Sequence, residues 1–87
     1  FVYINIKTLE IMNEHIKIKV RFCDLGLYVD ESQDNDPMNG ITEGYVTYQH
    51  GDYHYVITWD DAMYWLDKNG KVEDILRDSE LDKEYYA

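Results

Sequence analysis

From Ile16 to Phe22 apolar and charged residues alternate without a break, with Ile16, Ile18, Val20 and Phe22 on one side and Lys17, Lys19 and Arg21 on the other. A period of two predicts a strand with one buried face. Residues 3–11 also alternate, but the phase changes between Ile6 and Leu9, which suggests a bulge or a turn within an extra strand. The polar run from Asp30 to Gly40, interrupted by Pro37, has the composition of an exposed loop.

The clearest local pattern is Tyr45 to Trp59, which folds back on itself at Gly51-Asp52. Gly followed by Asp suits a two-residue type II′ hairpin turn, because glycine supplies the positive φ. That turn pairs His50 with Tyr53, Tyr48 with Tyr55, Val46 with Ile57 and Gly44 with Trp59 on an aromatic, apolar face. The other face pairs Gln49 with His54, Thr47 with Val56, Tyr45 with Thr58 and Glu43 with Asp60, and is largely polar.

Beyond Trp59 two patterns compete. A strand over Ala62–Leu66, turning at Asp67 to Gly70 and pairing Leu66 with Val72, suits Tyr64, Trp65 and Val72 and is the favoured expectation. The alternative is a helix over about residues 59–68, capped by Thr58, with Asp60 and Asp61 in its first turn and Trp59, Ala62, Met63 and Leu66 forming an i, i+3, i+4, i+7 stripe. Residues 75–81 suggest a short helical or 3₁₀ turn. The predicted fold is therefore mainly β, with α+β as the alternative. Its divisions are residues 1–11 as an N-terminal extension, 12–84 as one small domain and 85–87 as a tail.

With 87 residues the chain buries only about 60 to 65% of its unfolded surface, so its stability margin is thin. The net charge is −10. It is also segregated: the first 21 residues hold four bases against two acids, while the remainder holds sixteen acids against four bases, a net −12. Such a surface repels nucleic acid and anionic membranes across the screening length of about 8 Å, which excludes both as direct ligands and points to a basic protein partner. The lone Cys23 forms no internal disulfide, and no apolar run reaches the length of a membrane span, so the expected setting is the cytoplasm. The sequence opens at Phe1 rather than at a methionine and is read as trimmed or processed, with Met12 as an alternative start. Its interrupted apolar run over residues 2–11 does not read as a signal peptide.

Several segments together resemble a small SH3-like barrel of the KOW and Tudor type. They are the strand Ile16 to Phe22, the acidic loop, Gly44-Tyr45-Val46, the Val56-Ile57-Thr58-Trp59-Asp60-Asp61 rhythm, and Asp78-Ser79-Glu80-Leu81. The resemblance spans residues 16–82 and departs from the pattern at Ala62, where a glycine is common. It implies a binding module and is silent on mechanism.

Neither a metal nor a cofactor is implied. His50 and His54 fall on opposite hairpin faces and lack further ligands. Numbering an EF-hand with Gly40 sixth puts Asn35 first, Pro37 third and Val46 twelfth, without the terminal glutamate. Cys23, beside Asp24, reads as a buried or inert thiol, and adjacent carboxylates such as Asp60-Asp61 do not read as a catalytic pair. Tyr48, Tyr55, Trp59, Tyr64 and Trp65 read mainly as core.

The functional expectation is a non-enzymatic inhibitor or modulator, of phage or mobile-element origin by its size and composition, that offers a nucleic-acid-like acidic surface to a nucleic-acid-binding protein. Asp60, Asp61, Glu73 and Asp74 would supply charge, and Tyr64 and Trp65 would supply anchors. Asp78, Glu80, Asp82 and Glu84 alternate. In an extended chain they would project from one face about 6.6 Å apart, close to the spacing of successive phosphates. The alternative is a Tudor- or SH3-like module that reads peptides with an aromatic cluster.

Overall fold

The computed structural model describes the backbone of residues 6–30, 40–42 and 44–86, with the side chains of residues 13–30, 40, 41 and 44–86. The elements are α1 (Ile6–Asp24), β1 (Tyr28–Val29), β2 (Ile41–Thr42), β3 (Tyr45–His50), β4 (Tyr53–Thr58), α2 (Trp59–Asp67), α3 (Val72–Asp78) and β5 (Glu80–Leu81). β1 and β2 share one edge of β3, and the antiparallel sheet continues through β4 to β5. The protein is α+β, and its sheet stays open: β1 and β2 lie at one edge and β5 at the other, so no barrel forms.

The strand expected over Ile16 to Phe22 is instead the second half of a helix, and α1 also takes in residues 6–11 of the expected extra strand. The same alternation yields a different partition on a helix. Residues four apart share a face, so Ile18 and Phe22 go fully inward while Ile16 and Val20 remain more than half exposed. Gly26, at φ 77°, then ends α1 in a Schellman motif: the Leu27 N–H donates to Phe22 O at 2.8 Å and the Gly26 N–H to Cys23 O at 3.0 Å. Cys23 is exposed rather than buried.

The hairpin takes the expected register in the six β3–β4 pairs from Tyr45↔Thr58 to His50↔Tyr53, while Trp59 and Asp60, expected to extend the ladder opposite Gly44 and Glu43, open α2 instead. Gly51 has φ 61° while Asp52 stays at negative φ, as a type II′ turn requires. The inner face presents Val46, Tyr48 and Ile57 to the helices.

After Thr58 the chain forms the helix, not the strand over Ala62–Leu66. The Thr58 hydroxyl accepts the Asp61 N–H at 3.2 Å, and Asp60 and Asp61 sit in the positive first turn of α2. Ala62 and Trp65 are buried, with Trp59, Met63 and Leu66 packed beside them. A second Schellman motif closes α2, with Asn69 at φ 54°, its N–H on Leu66 O and the Gly70 N–H on Trp65 O. Gly70 is needed sterically, because a Cβ there would run into the Trp65 indole. The expected short turn near the C-terminus is α3, and it feeds directly into β5.

Phe22 meets Tyr48 and Trp65 edge-on at 5.2 and 5.3 Å, and Tyr55 stacks on Tyr48 at 5.6 Å. The polar atoms of Trp65 and Tyr48 in this aromatic core are hydrogen-bonded. The Trp65 indole N–H donates to Lys71 O at 2.7 Å. Ser79 donates its hydroxyl to Ile75 O at 2.6 Å, which leaves Ser79 Oγ to accept from the Tyr48 hydroxyl, also at 2.6 Å. Burial pushes the Tyr48 phenol up to about 12, with the Ser79 bond opposing the shift and Tyr55 adding to it. His15 lies edge-on to Trp59 at 4.7 Å, and burial holds its imidazole below the usual histidine range against the opposing charge of Glu14.

Candidate functional site

The outer face of the hairpin carries Tyr45, Thr47 and Val56, because each lies one residue out of phase with the buried set. β5 runs along β4 and places Glu80 beside Val56. The segment after β5 then turns back. Asp82 donates its N–H to His54 O at 2.9 Å, and its carboxylate accepts the N–H groups of Glu84 and Tyr85 at 3.1 and 3.3 Å.

Two tyrosines pin this turn against β4. Tyr85 stacks on the His54 ring at 3.5 Å between centroids. Tyr86 accepts the His54 N–H at 2.7 Å and donates its hydroxyl to Asp52 O at 3.0 Å. His54 is buried as a result, although it lies on the outer face, and its Nδ1 sits 2.9 Å from Asp30 Oδ2.

Between the pinned segment and the hairpin runs a trough of about 440 Å³, lined by Tyr45, Thr47, Val56, Glu80, Leu81, Asp82, Lys83 and Glu84. A second hollow shares Tyr45, Val56 and Glu80 and extends it to Thr58, Asp61 and Asp78. Five carboxylates and one lysine therefore border a strip whose floor is aromatic and aliphatic, with Tyr45 half exposed at its centre. Among the described residues no three acidic, histidine or cysteine side chains are close enough to share a metal ion. Charges spaced in this way suit an extended cationic partner better than a single cation, since each carboxylate can take its own charge-assisted hydrogen bond.

Of the ten residues singled out from the sequence, the trough gathers Asp61, Asp78, Glu80, Asp82 and Glu84. The other five lie elsewhere. Trp65 is 3% exposed and belongs to the core. Tyr64 is exposed on α2 with the Lys68 ammonium 5.6 Å from its ring, and Asp60 and Glu73 are solvated. Asp74 accepts the Lys71 N–H at 3.1 Å and lies 3.4 Å from Arg77. The alternation from Asp78 to Glu84 is extended only through β5 and breaks at the Asp82 turn.

Sequence reasoning missed Tyr45 and Val56 as the floor and Tyr85 and Tyr86 as the clamp. The hairpin register carried the first signal, since it already paired Tyr45 and Val56 with the polar face. The second had only the turn-forming chemistry of Asp82 to announce it. The expected acidic loop lies largely outside the described residues. No helix among the described residues is long and apolar enough to cross a membrane. The chain matches no family model, no curated protein and no solved structure.

Proposed function

We propose that the protein is a non-enzymatic binding module whose outer trough seats a basic segment of another protein, in the place a nucleic-acid strand would take on that partner. The convergence of Asp61, Asp78, Glu80, Asp82 and Glu84 on the Tyr45–Val56 floor carries this reading. Carboxylates replace phosphates as salt-bridge partners, and the Tyr45 ring offers a face to a guanidinium or ammonium that an acidic surface alone would leave hydrated. The peptide-reader alternative draws little support, because Tyr48, Tyr55 and Trp65 face inward and, among the described residues, no aromatic ring packs against that of Tyr45. An inhibitor of this kind, encoded by a phage or mobile element, would act in the host cytoplasm.

The test separates local charge from total charge. Asp61→Asn, Asp78→Asn and Glu80→Gln together remove three charges from the trough, and Asp60→Asn, Asp67→Asn and Glu73→Gln remove three from α2 and α3. Captured from lysate of the native cell at low salt, the nucleic-acid-binding partner is expected on the parent and on the second variant but not on the first. Equal capture by both variants would reject the trough as the site.

A further inference from the structure

Across the sheet from the trough, α1 turns an uncovered apolar strip outward. Ile16 and Val20 are 54% and 55% exposed and, with Leu66 of α2, form a shallow groove flanked by Lys17, Arg21 and Asp24. Among the described side chains α1 is the one helix in which bases outnumber acids, with Lys17, Lys19 and Arg21 against Glu14 and Asp24. Arg21 is already oriented: its guanidinium donates to Asn69 Oδ1 at 2.8 Å and lies 5.9 Å from the Trp65 ring. That contact uses one of five donors and leaves the rest of the fork for an incoming carboxylate. Because Phe22 of α1 packs on Tyr48 of the inner sheet face, the basic strip and the acidic trough lie on opposite sides of the molecule.

Resting on the reading of the trough as a seat for a cationic segment, we propose that it also seats the α1 strip of a second copy, so that molecules associate head to tail. Lys17 and Arg21 would meet the trough carboxylates, and Ile16 and Val20 would cover the Tyr45–Val56 floor. Two different, mutually complementary patches on opposite sides generate a heterologous contact, which grows into open chains rather than closing as a two-fold dimer. Each association covers one trough, so a basic partner and a second copy compete, and partner binding takes the chains apart. The repulsion between molecules of charge −10 keeps this contact weak and confines it to high protein concentration.

Disabling the two patches separately provides the test, because an open chain can be capped at either end. Sedimentation equilibrium of the parent is expected to show an average mass that climbs with concentration past that of a dimer. Lys17→Ala spoils only the strip and Glu80→Lys only the trough, and the two spoiled patches form no ion pair with each other, so each alone is expected to weaken association at least about tenfold. Mixed in equal amounts, the two variants retain one intact strip and one intact trough between them and are expected to form a discrete dimer that grows no further. Ile16→Ser, which leaves the charge unchanged, is expected to weaken the parent's association as well, and circular dichroism melts establish that each variant is folded. A parent that remains monomeric, a parent that stops at a dimer, association unaffected by either substitution, or a mixture that stays monomeric would each overturn the proposal. Titration with an oligo-arginine peptide separates the two readings: binding by a strictly monomeric parent overturns self-association alone, and absence of both binding and association overturns both.

Discussion

On the inner face of the β3–β4 hairpin, Val46, Tyr48 and Ile57 are sealed under three helices, and the Tyr48 hydroxyl is carried through Ser79 to the Ile75 carbonyl. One residue along the same strands, Tyr45, Thr47 and Val56 face a trough bordered by carboxylates and contribute little that the fold needs. The strand period of two lets one hairpin serve both purposes. Stability is concentrated on one face, which leaves the other free to carry charge that would be intolerable in a core. Substitutions on the two faces should therefore fail in different ways.

The largest expected effect is on the inner side. Trp65→Ala removes the indole that meets Phe22 and the hydrogen bond to Lys71 O, and should cost about 3–5 kcal/mol in chemical denaturation. For a small domain that is a large share of the whole margin, so any binding lost in this variant reflects unfolding. A Trp65→Ala protein as stable as its parent would remove the distinction between the faces.

Gly70→Ala should follow at about 1–3 kcal/mol, because the added Cβ forces the Trp65 ring from its place. Tyr48 supplies a pH-dependent term. Burial raises its pKa from 10.0 to about 12, so the neutral phenol is favoured in the folded state. The associated stability is fully present below pH 10 and is lost as pH rises toward 12, by on the order of 2 kcal/mol. Urea melts across that window should show the loss in the parent and less of it in Tyr48→Phe. Identical alkaline slopes in the two proteins would show that this phenol is not the one held neutral.

On the outer side the order reverses. Tyr45→Ala should change stability by no more than about 0.5 kcal/mol, since the ring is half exposed, yet weaken binding of a basic peptide at least about tenfold. Unfolding titrations and peptide isotherms on the same sample check both halves of that statement.

The hairpin was legible in the sequence because Gly51-Asp52 fixes a register and the register fixes both faces. That is also why Asp78 and Glu80 could be placed beside an aromatic floor once the strand next to β4 was known. The helix over residues 59–67 was visible as an alternative through Thr58, Asp60 and Asp61, but Tyr64 and Trp65 pulled the reading toward a strand. α1 departs from the strand expected of Ile16 to Phe22 for a physical reason. The alternation Ile16, Ile18, Val20, Phe22 satisfies a strand with one buried face, and it equally satisfies a helix with two apolar stripes if one of them remains uncovered. The Schellman ending at Leu25-Gly26-Leu27 was the local cue that could have decided between them. Trp65 reads from the sequence both as core and as a partner-binding anchor, because aromatic content alone does not say which rings the core consumes. The turn that brings Asp82 and Glu84 around to the trough depends on long-range contacts of Tyr85 and Tyr86 that no local pattern encodes.

Amide shift mapping of the isotopically labelled protein titrated with an oligo-arginine peptide most directly tests the central claim that the outer trough is the binding face. Perturbations confined to Tyr45, Thr47, Val56, Thr58, Asp61 and residues 78–84, weakening steeply as salt is added, are the required result. Shifts centred on Asp60, Tyr64 and Glu73 instead, or spread evenly over every acidic surface, would contradict it.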